Sequence, residues 1–391
     1  MVVLVTVAAM VTVALTLRGG RANAATHSGN TVATSTTTTT TPACTLQSAF
    51  ANWSNIQLIN QLVAVPVNVA AVPSVAAAAR QGYGGIILFG WSAPSSFGTQ
   101  IAAVTALVPR HLGMLVMTDD EGGQVWRAAN IVAPLPWAKW MSAGGPAYIK
   151  ARAATAGAAM AAVGINMDLA PVLDLDARAV VPSPTNADGL RSFSGNAATA
   201  AADGTAFLRG LASAGVLGVI KHFPGLGGVS PDTDYGPART AAWPVVQKTS
   251  LVPFAAAIAA GATAMMVSNV TIPGLTSGPA TVSRAAITGV IRGQMHFNGL
   301  VLTDSLSAGA VSLAHLSVPV AAVDAIVAGA DMVLFTVHGS TSPVGEANRV
   351  SQALAAALSA GRLSRLRIEQ SAARVLEARG FHPCPSATLV G

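Results

Sequence analysis

Residues 148–169, YIKARAATAGAAMAAVGINMDL, contain one complete passage from helix to strand. The alanine-rich part, residues 148–163, has the composition of a helix that packs closely on a sheet. Gly164 follows it, as glycine often does at the end of a helix, and residues 165–169 form the short apolar run of a buried strand. A strand that follows a helix in this way predicts a parallel sheet with helices packed on it.

The same unit repeats along the chain from about residue 56. Short apolar runs predict strands, and alanine-rich segments such as 197–214 and 283–295 predict helices between them. The predicted strands are residues 62–67, 86–89, 114–118, 165–169, 217–221, 264–268, 300–303 and 332–335. Eight such units predict an α/β fold, a (β/α)8 TIM barrel, formed as a single domain by residues 50–380.

A doubly wound sheet is the alternative arrangement of alternating strands and helices. Such a sheet usually carries a glycine-rich phosphate loop between an early strand and the next helix. Here the glycine-rich stretch Gly225-Leu226-Gly227-Gly228 follows a Lys-His-Phe-Pro run and opens no obvious helix. The barrel is therefore the favoured fold.

Polar residues are concentrated at the ends of the predicted strands. They are Asp119 and Asp120 after the third strand, Asp168 in the fourth, Lys221 and His222 at the fifth, Asn269 after the sixth, Asp304 after the seventh and His338 after the eighth. The carboxyl ends of barrel strands meet at one face, where barrel active sites lie. Because the chain has only 16 acidic residues, this concentration predicts a carboxylate-bearing pocket.

The carboxylates favour cleavage of a glycosidic bond, which needs two such groups in different roles. The histidines are dispersed and include no ligand-spaced pair, so a zinc site is disfavoured. A serine hydrolase is disfavoured too, because no G-x-S-x-G elbow occurs. We expect neither a metal ion nor another cofactor.

The composition limits the partners of the chain. Hydrophobic residues make up 52% of the 391 residues and charged residues 10%, which suffices for a large core. The formal net charge is +6, yet the basic residues are scattered and form no stripe interleaved with aromatic residues. We therefore expect no nucleic-acid partner. The expected partner is a carbohydrate, and the chain is expected to be a monomer.

The N-terminal region has the features of an export signal. An apolar run, residues 2–17, precedes Ala22-Asn23-Ala24, so residues 1–24 are predicted to be a signal peptide. The run could also remain as an anchor, since no Lys or Arg precedes it. Residues 25–49, with a run of threonines, are predicted to be a disordered linker. The protein is thus expected to be secreted or associated with the cell envelope, with no stable membrane span once the signal is removed.

The chain contains two cysteines, Cys44 and Cys384, at opposite ends of the globular region. In an exported protein such a pair predicts a disulfide. A closed barrel brings its chain ends near each other, which makes this bond geometrically reasonable. Residues 381–391 are predicted to be a C-terminal tail.

Five segments, in order and sensibly spaced, resemble the signatures of family 3 glycoside hydrolases. They are TDDEGGQVWR at 118–127, LAPVLD at 169–174, RSF at 191–193, KHFPG at 221–225 and FNGLVLTD at 297–304. The resemblance extends over roughly residues 56–376. It is greatest to the single-domain bacterial β-N-acetylglucosaminidases that act on peptidoglycan fragments.

The resemblance implies a role for each matched residue. Asp304 would be the catalytic nucleophile of a retaining mechanism. Sugar hydroxyls would be held by Asp119, Arg127, Arg191, Lys221 and His222. The glycines Gly122 and Gly123 would let the backbone approach the sugar closely. Asp174, Asp176 and Arg178, in contrast, are interpreted as loop structure.

The sequence departs from the family pattern at the proton-transfer group. The single-domain branch has an Asp-Ser-His triplet whose Asp and His form the acid/base pair. Here the triplet is Asp232-Thr233-Asp234, so Asp234 stands in the place of the histidine. The acid/base could be Asp234, with its proton affinity raised by the nearby Asp232, or Asp232 itself, or another carboxylate such as Glu121. The alternative function is a carbohydrate-binding pseudoenzyme with weak or no catalysis.

Overall fold

Parallel strands alternate with helices along the chain in a computed structural model of the protein. The structure describes residues 44–228, 231–337, 339 and 341–384. The predicted signal peptide, the linker up to residue 43, His338 and the tail after Cys384 lie outside the described residues. All the described residues belong to one unit, which extends from residue 43 to residue 391.

The strands occur in the order of a barrel. They are β1 (Ala64–Asn68), β2 (Gly85–Phe89), β3 (Leu115–Thr118), β4 (Asp120–Gly122), β5 (Val125–Trp126), β6 (Met167–Asp168), β7 (Leu217–Gly218), β8 (Ile220–Phe223), β9 (Ala264–Val267) and β10 (Leu300–Thr303). One parallel sheet has the order β1-β2-β3-β6-β7, and a second has the order β10-β9-β8. The short pair β4 and β5 forms a separate antiparallel hairpin.

Two features connect the sheets in the manner of a barrel. The strands β7 and β8 are successive parts of one chain segment, separated by Val219. At the other side, Met332 bridges Leu302 of β10 and Val333 bridges Val63 beside β1, both in parallel. The eight predicted strand positions are therefore found in sequence around the barrel, and the predicted fold is confirmed.

The helices lie between the strands as expected. They are α1 (Leu46–Ala49), α2 (Asn55–Gln61), α3 (Ala76–Arg80), α4 (Phe97–Thr105), α5 (Ala138–Ser142), α6 (Gly145–Ala162), α7 (Ala197–Ser213), α8 (Trp243–Val246), α9 (Leu251–Ala259), α10 (Gly309–Ser312), α11 (Val318–Ala328), α12 (Pro343–Ser359) and α13 (Arg365–Glu377). Side-chain caps begin several of them; Asn196, for example, accepts hydrogen bonds from the backbone N–H groups of Ala198 and Thr199. Shorter 3-10 segments are Val69–Val75, Pro109–His111, Gly189–Arg191 and Ala280–Val282.

Some predicted elements differ from the structure in detail; the predicted strand 332–335, for example, is present only as isolated bridges at Met332 and Val333. The predicted helix 283–295 is a π-helix, Ala285–Gln294, for which we have no physical account. The predicted strand 165–169 pairs regularly only at Met167–Asp168. Its beginning is altered because the side-chain carbonyl of Asn166 accepts the Val116 N–H at 2.8 Å, in place of a backbone carbonyl.

The core has two layers, as a barrel requires. One apolar cluster, including Met117, Met167, Met266 and Leu302, is formed by alternate residues of the strands. A larger cluster joins the other strand residues, such as Val116 and Val301, to the helices. Because both faces of each strand are buried, the strands read as continuous apolar runs in the sequence.

The chain ends of the described part are joined covalently. Cys44 and Cys384 form a disulfide with their Cα atoms 5.5 Å apart, which confirms the predicted pairing. Within the described residues, no helix is both long and apolar enough to cross a membrane.

Candidate active site

The predicted site residues come from the carboxyl ends of the strands and the loops that follow them. Asp119 follows β3 and Asp304 follows β10, while Lys221 and His222 belong to β8. Arg191 ends the 3-10 segment Gly189–Arg191. These residues are far apart in the sequence, and the barrel brings them to one face.

A network of charges forms the base of the site. The Lys221 ammonium donates to Asp119 Oδ1 and contacts Glu121 Oε1, both at 2.7 Å. Arg191 donates from Nε and Nη2 to the two oxygens of Glu121, at 2.7 and 2.8 Å. The planar guanidinium and the carboxylate thus form a bidentate pair. This arrangement fixes the two cationic side chains and the Asp119 carboxylate at the base of the site.

Glu121 is unsuited to donate a proton in this network. Its burial alone would raise its pKa, but the charges of Arg191 and Lys221 outweigh burial and lower the pKa well below the usual range. Glu121 therefore stays ionised and holds the two cations. The structure gives no support to Glu121 as the acid/base.

His222 is oriented by Asp174. His222 Nδ1 lies 2.6 Å from Asp174 Oδ2, and Asp174 Oδ1 accepts the backbone N–H groups of His222 and Leu226 at 3.2 and 2.9 Å. Burial, with the charges of Arg191 and Lys221, lowers the pKa of His222 to about 4. The imidazole is therefore neutral near pH 7, with its Nδ1–H directed to Asp174 and its Nε2 left as an acceptor.

The interpretation of Asp174 as loop structure was therefore wrong. The carboxylate is buried and supports His222 from a position 48 residues earlier in the chain. Asp176 and Arg178, in contrast, do pair with each other within the loop, at 3.0 Å. The LAPVLD segment was the available signal for Asp174, but the sequence does not state which histidine it contacts.

Asp304, the predicted nucleophile, is held by contacts of the turn that follows β10. Its Oδ1 accepts the Ser305 N–H at 2.7 Å, and the Ser305 carbonyl accepts from Asn269 Nδ2 at 2.9 Å, which fixes the turn. Burial raises the pKa of Asp304 to about 6; the negative charge of Asp234 adds to this, whereas His222, the Ser305 N–H and Lys221 oppose it. Asp304 is therefore mainly ionised near pH 7.

Asp232 and Asp234 lie on the loop after β8. Asp232 Oδ1 accepts the Asp234 N–H at 2.9 Å. The Asp234 carbonyl accepts the Gly309 N–H at 2.9 Å, which ties this loop to the start of α10. Asp234 is exposed, yet desolvation and then the charge of Asp232 raise the pKa of its carboxyl. The raised affinity for a proton is what an acid/base group requires.

Arg127 lies at the rim of the site. Its guanidinium stacks on Trp91 at 5.0 Å and on Phe89 at 5.9 Å from the ring centroids. Burial raises the pKa of both Asp120 and Asp234, and the positive charge of Arg127 partly opposes this. Trp91 is 56% exposed, so one aromatic ring and one cation border the pocket together.

Gly122 and Gly123 have a different role from the one expected. Both have positive φ, at 104° and 62°. A Cβ atom at Gly122 would lie 2.2 Å from the Pro136 carbonyl oxygen, and one at Gly123 would lie 2.0 Å from the Trp137 ring. The space over these glycines is filled by protein, so the glycines serve the packing of the β4–β5 hairpin rather than an approach to the sugar.

Asp120 and Asp168 are two buried carboxyls near Asp119. Asp168 Oδ1 accepts the Asp120 N–H at 2.9 Å. Burial, together with neighbouring negative charges, raises the pKa of Asp120 to about 9 and that of Asp168 to about 7. At least one of the two carboxyls therefore carries a proton near pH 7.

Comparison with known proteins shows which family the chain resembles. The family described as "Glycosyl hydrolase family 3 N terminal domain" matches residues 57–378. A β-hexosaminidase, LpqI, of Mycobacterium tuberculosis is 33% identical over 280 residues, which are 70% of this chain and 69% of that protein.

Solved structures agree with this match. A glycosyl hydrolase of the GH3 family from Mycobacterium smegmatis has a TM-score of 0.76 and 30% identity, covering 86% of this chain and 98% of its own. The β-N-acetylhexosaminidase of Beutenbergia cavernae has a TM-score of 0.74 and 32% identity; the match covers 84% of this chain and 98% of that chain.

Proposed function

The chain belongs to glycosyl hydrolase family 3, and from this membership we propose that it is a retaining hydrolase of terminal β-linked N-acetylglucosamine residues. Its expected substrates are fragments of peptidoglycan. The similar proteins named as β-hexosaminidases support this choice of sugar. We also propose that the protein is exported and acts as a monomer; the disulfide Cys44–Cys384 supports an oxidising compartment.

The single observation that carries the proposal is the placement of Asp304. Its carboxylate lies at the end of β10, where the charge of Lys221 favours its ionised form and the negative charge of Asp234 opposes it. A nucleophilic carboxylate needs this combination of an ionised state, nearby cationic donors and a second carboxyl.

The first half of the reaction forms a covalent intermediate. Asp119, Lys221, Arg191, Arg127 and His222 would hold the hydroxyls of the bound sugar. The Asp304 carboxylate would attack the anomeric carbon and form a glycosyl ester. The bond to the leaving oxygen would break as Asp234, supported by Asp232, gives that oxygen its proton.

The second half of the reaction restores the enzyme. A water molecule would attack the anomeric carbon and give its proton to the Asp234 carboxylate. The bond between the sugar and Asp304 would break, which returns Asp304 to its ionised state. Two inversions at the anomeric carbon give net retention of configuration.

A binding protein of the same fold is the second candidate. The observation that favours it is Asp234 itself, an exposed carboxyl where the family branch has a histidine. A carboxylate beside Asp232 transfers protons less readily than a neutral imidazole, because two close negative charges cannot both be ionised easily.

A panel of chromogenic aryl glycosides, including the N-acetyl-β-glucosaminide and the β-glucoside, separates the two candidates. We expect the wild type to hydrolyse the N-acetyl-β-glucosaminide, and Asp304→Ala to be slower by on the order of 10³-fold or more. If neither protein hydrolyses any of the glycosides and the sugar raises both melting temperatures equally, the protein is a binding protein. Equal turnover by both proteins would contradict the role of Asp304.

A further inference from the structure

Tyr235 is an exposed aromatic residue beside the proposed acid/base group. It directly follows Asp234 in the chain and is 67% exposed. Its backbone is fixed, because Tyr235 N–H donates to the Asp232 carbonyl at 3.1 Å. A Cβ atom on Gly309 would lie only 2.7 Å from the Tyr235 carbonyl carbon, so the loop packs tightly on the start of α10. A fixed backbone thus presents an exposed ring.

The position of this ring relative to the substrate follows from the proposed function, on which this inference rests. An acid/base group must lie within hydrogen-bond reach of the glycosidic oxygen. In the proposed reaction, the sugar to be transferred would lie on the buried side of that oxygen, toward Lys221 and its ion pair with Glu121. The leaving group would then lie toward solvent, near the exposed Tyr235 that follows Asp234 in the chain.

We propose that Tyr235 forms the leaving-group subsite and that a second sugar ring stacks on it. A pyranose presents C–H groups on its faces, and an aromatic ring with one polar end suits such a surface. Beside Tyr235, the Asp232 N–H donates to the Pro184 carbonyl at 3.0 Å. This bond joins the Tyr235 loop to the loop that exposes Val180 and Val181.

A sugar subsite at Tyr235 should make the protein selective for disaccharides and longer fragments over glycosides with small leaving groups. It is tested with N,N′-diacetylchitobiose, whose leaving group is a sugar, and N-acetyl-β-glucosaminyl fluoride, whose leaving group has no ring and needs no proton. For Tyr235→Ala we expect kcat/KM to fall about three- to tenfold on the disaccharide and to change little on the fluoride.

Two matched variants accompany this test. Tyr235→Phe retains the ring and should keep most of the activity on the disaccharide. Phe381→Ala removes another exposed aromatic side chain, 45% exposed beyond the end of α13 and away from the site, and should leave both substrates unaffected.

A second measurement separates stacking from an indirect effect of Tyr235 on Asp234. With the fluoride as donor, Asp304 first displaces fluoride ion and forms the glycosyl ester; a hydroxyl of added N-acetylglucosamine, the acceptor, then attacks its anomeric carbon. Its proton goes to Asp234 and Asp304 is released. Water and N-acetylglucosamine both need Asp234 as the base. The ratio of disaccharide to free sugar therefore measures how well N-acetylglucosamine binds.

We expect this ratio to fall about three- to tenfold in Tyr235→Ala. An unchanged ratio, or an equal loss of kcat/KM on both substrates, would overturn the subsite. Failure of the wild type to hydrolyse either substrate would contradict the proposed function itself, and the subsite with it.

Discussion

At the scale of single residues, the proposed mechanism depends on Asp234. Asp234→Asn removes the proton that a poor leaving group needs, so we expect hydrolysis of an alkyl N-acetyl-β-glucosaminide to slow by about 10²-fold or more. Formation of the covalent intermediate from an activated aryl glycoside should change much less. Steady-state kinetics on both substrates measure this difference. Equal effects on the two substrates would exclude Asp234 as the acid/base.

The same variant has a predicted pH signature on the activated substrate. Asp304 acts as an anion, so activity should fall as the pH drops through its pKa of about 6. The negative charge of Asp234 contributes to raising that pKa. Asp234→Asn removes this charge, so the acid limb of kcat/KM should move to lower pH. An upward shift would contradict the proposed proximity of the two carboxyls.

At the scale of elements, the first turn of α10 positions the loop that carries Asp234. A Cβ atom at Gly309 would lie 2.9 Å from the Asp234 carbonyl oxygen and closer still to Tyr235. Since both contacts are with backbone, Gly309→Ala must displace the loop.

We expect Gly309→Ala to lower kcat on the alkyl glycoside by about tenfold or more, because a small misplacement of a catalytic group is costly. Gly278→Ala is the control, since a Cβ atom there meets nothing within 4 Å. Similar kinetics for the two variants would show that this loop position is unimportant. Circular dichroism should show that both variants are folded.

At the scale of the whole molecule, Asp331 joins the end of the chain to the barrel. Its buried carboxylate accepts hydrogen bonds from the Val301 N–H and from the guanidinium groups of Arg292, Arg367 and Arg374. These arginines come from the π-helix and from α13. Burial alone would raise the pKa of Asp331, but the three guanidinium groups outweigh it and hold the pKa below its usual range.

Asp331→Asn leaves three cations without their shared anion, and we expect it to reduce the free energy of unfolding by about 3–5 kcal/mol at pH 7. The control Asp324→Asn breaks an exposed pair with Arg362, whose side chain is 57% exposed, and should cost less than about 1 kcal/mol. Denaturant titration measures both.

The contribution of Asp331 also has a predicted pH dependence. A carboxyl whose folded pKa is depressed stabilises the protein above the unfolded value of about 4, and this stability is lost as the pH falls through the folded pKa. The difference between wild type and Asp331→Asn should therefore shrink as the pH falls below about 4. A difference that grows with falling pH would refute the assigned ionisation of Asp331.

The sequence by itself determined the barrel and the identity of most site residues. Strand and helix patterns are local, and a parallel barrel places all strand ends at one face. For this reason Asp119, Lys221, His222 and Asp304 could be assigned to one pocket without coordinates. The cysteine pairing followed in the same way, because only two cysteines are available.

The tertiary structure alone decided which side chains contact one another within the pocket. Glu121 is separated by 70 residues from Arg191, and Asp174 by 48 residues from His222. Likewise, the residue packed over Gly123 is Trp137, on a later part of the chain. A strand pattern fixes the face to which a side chain belongs, but its partner across the pocket depends on how several loops pack together. That packing is a non-local property, and it assigned Glu121 to the cations and Asp174 to His222.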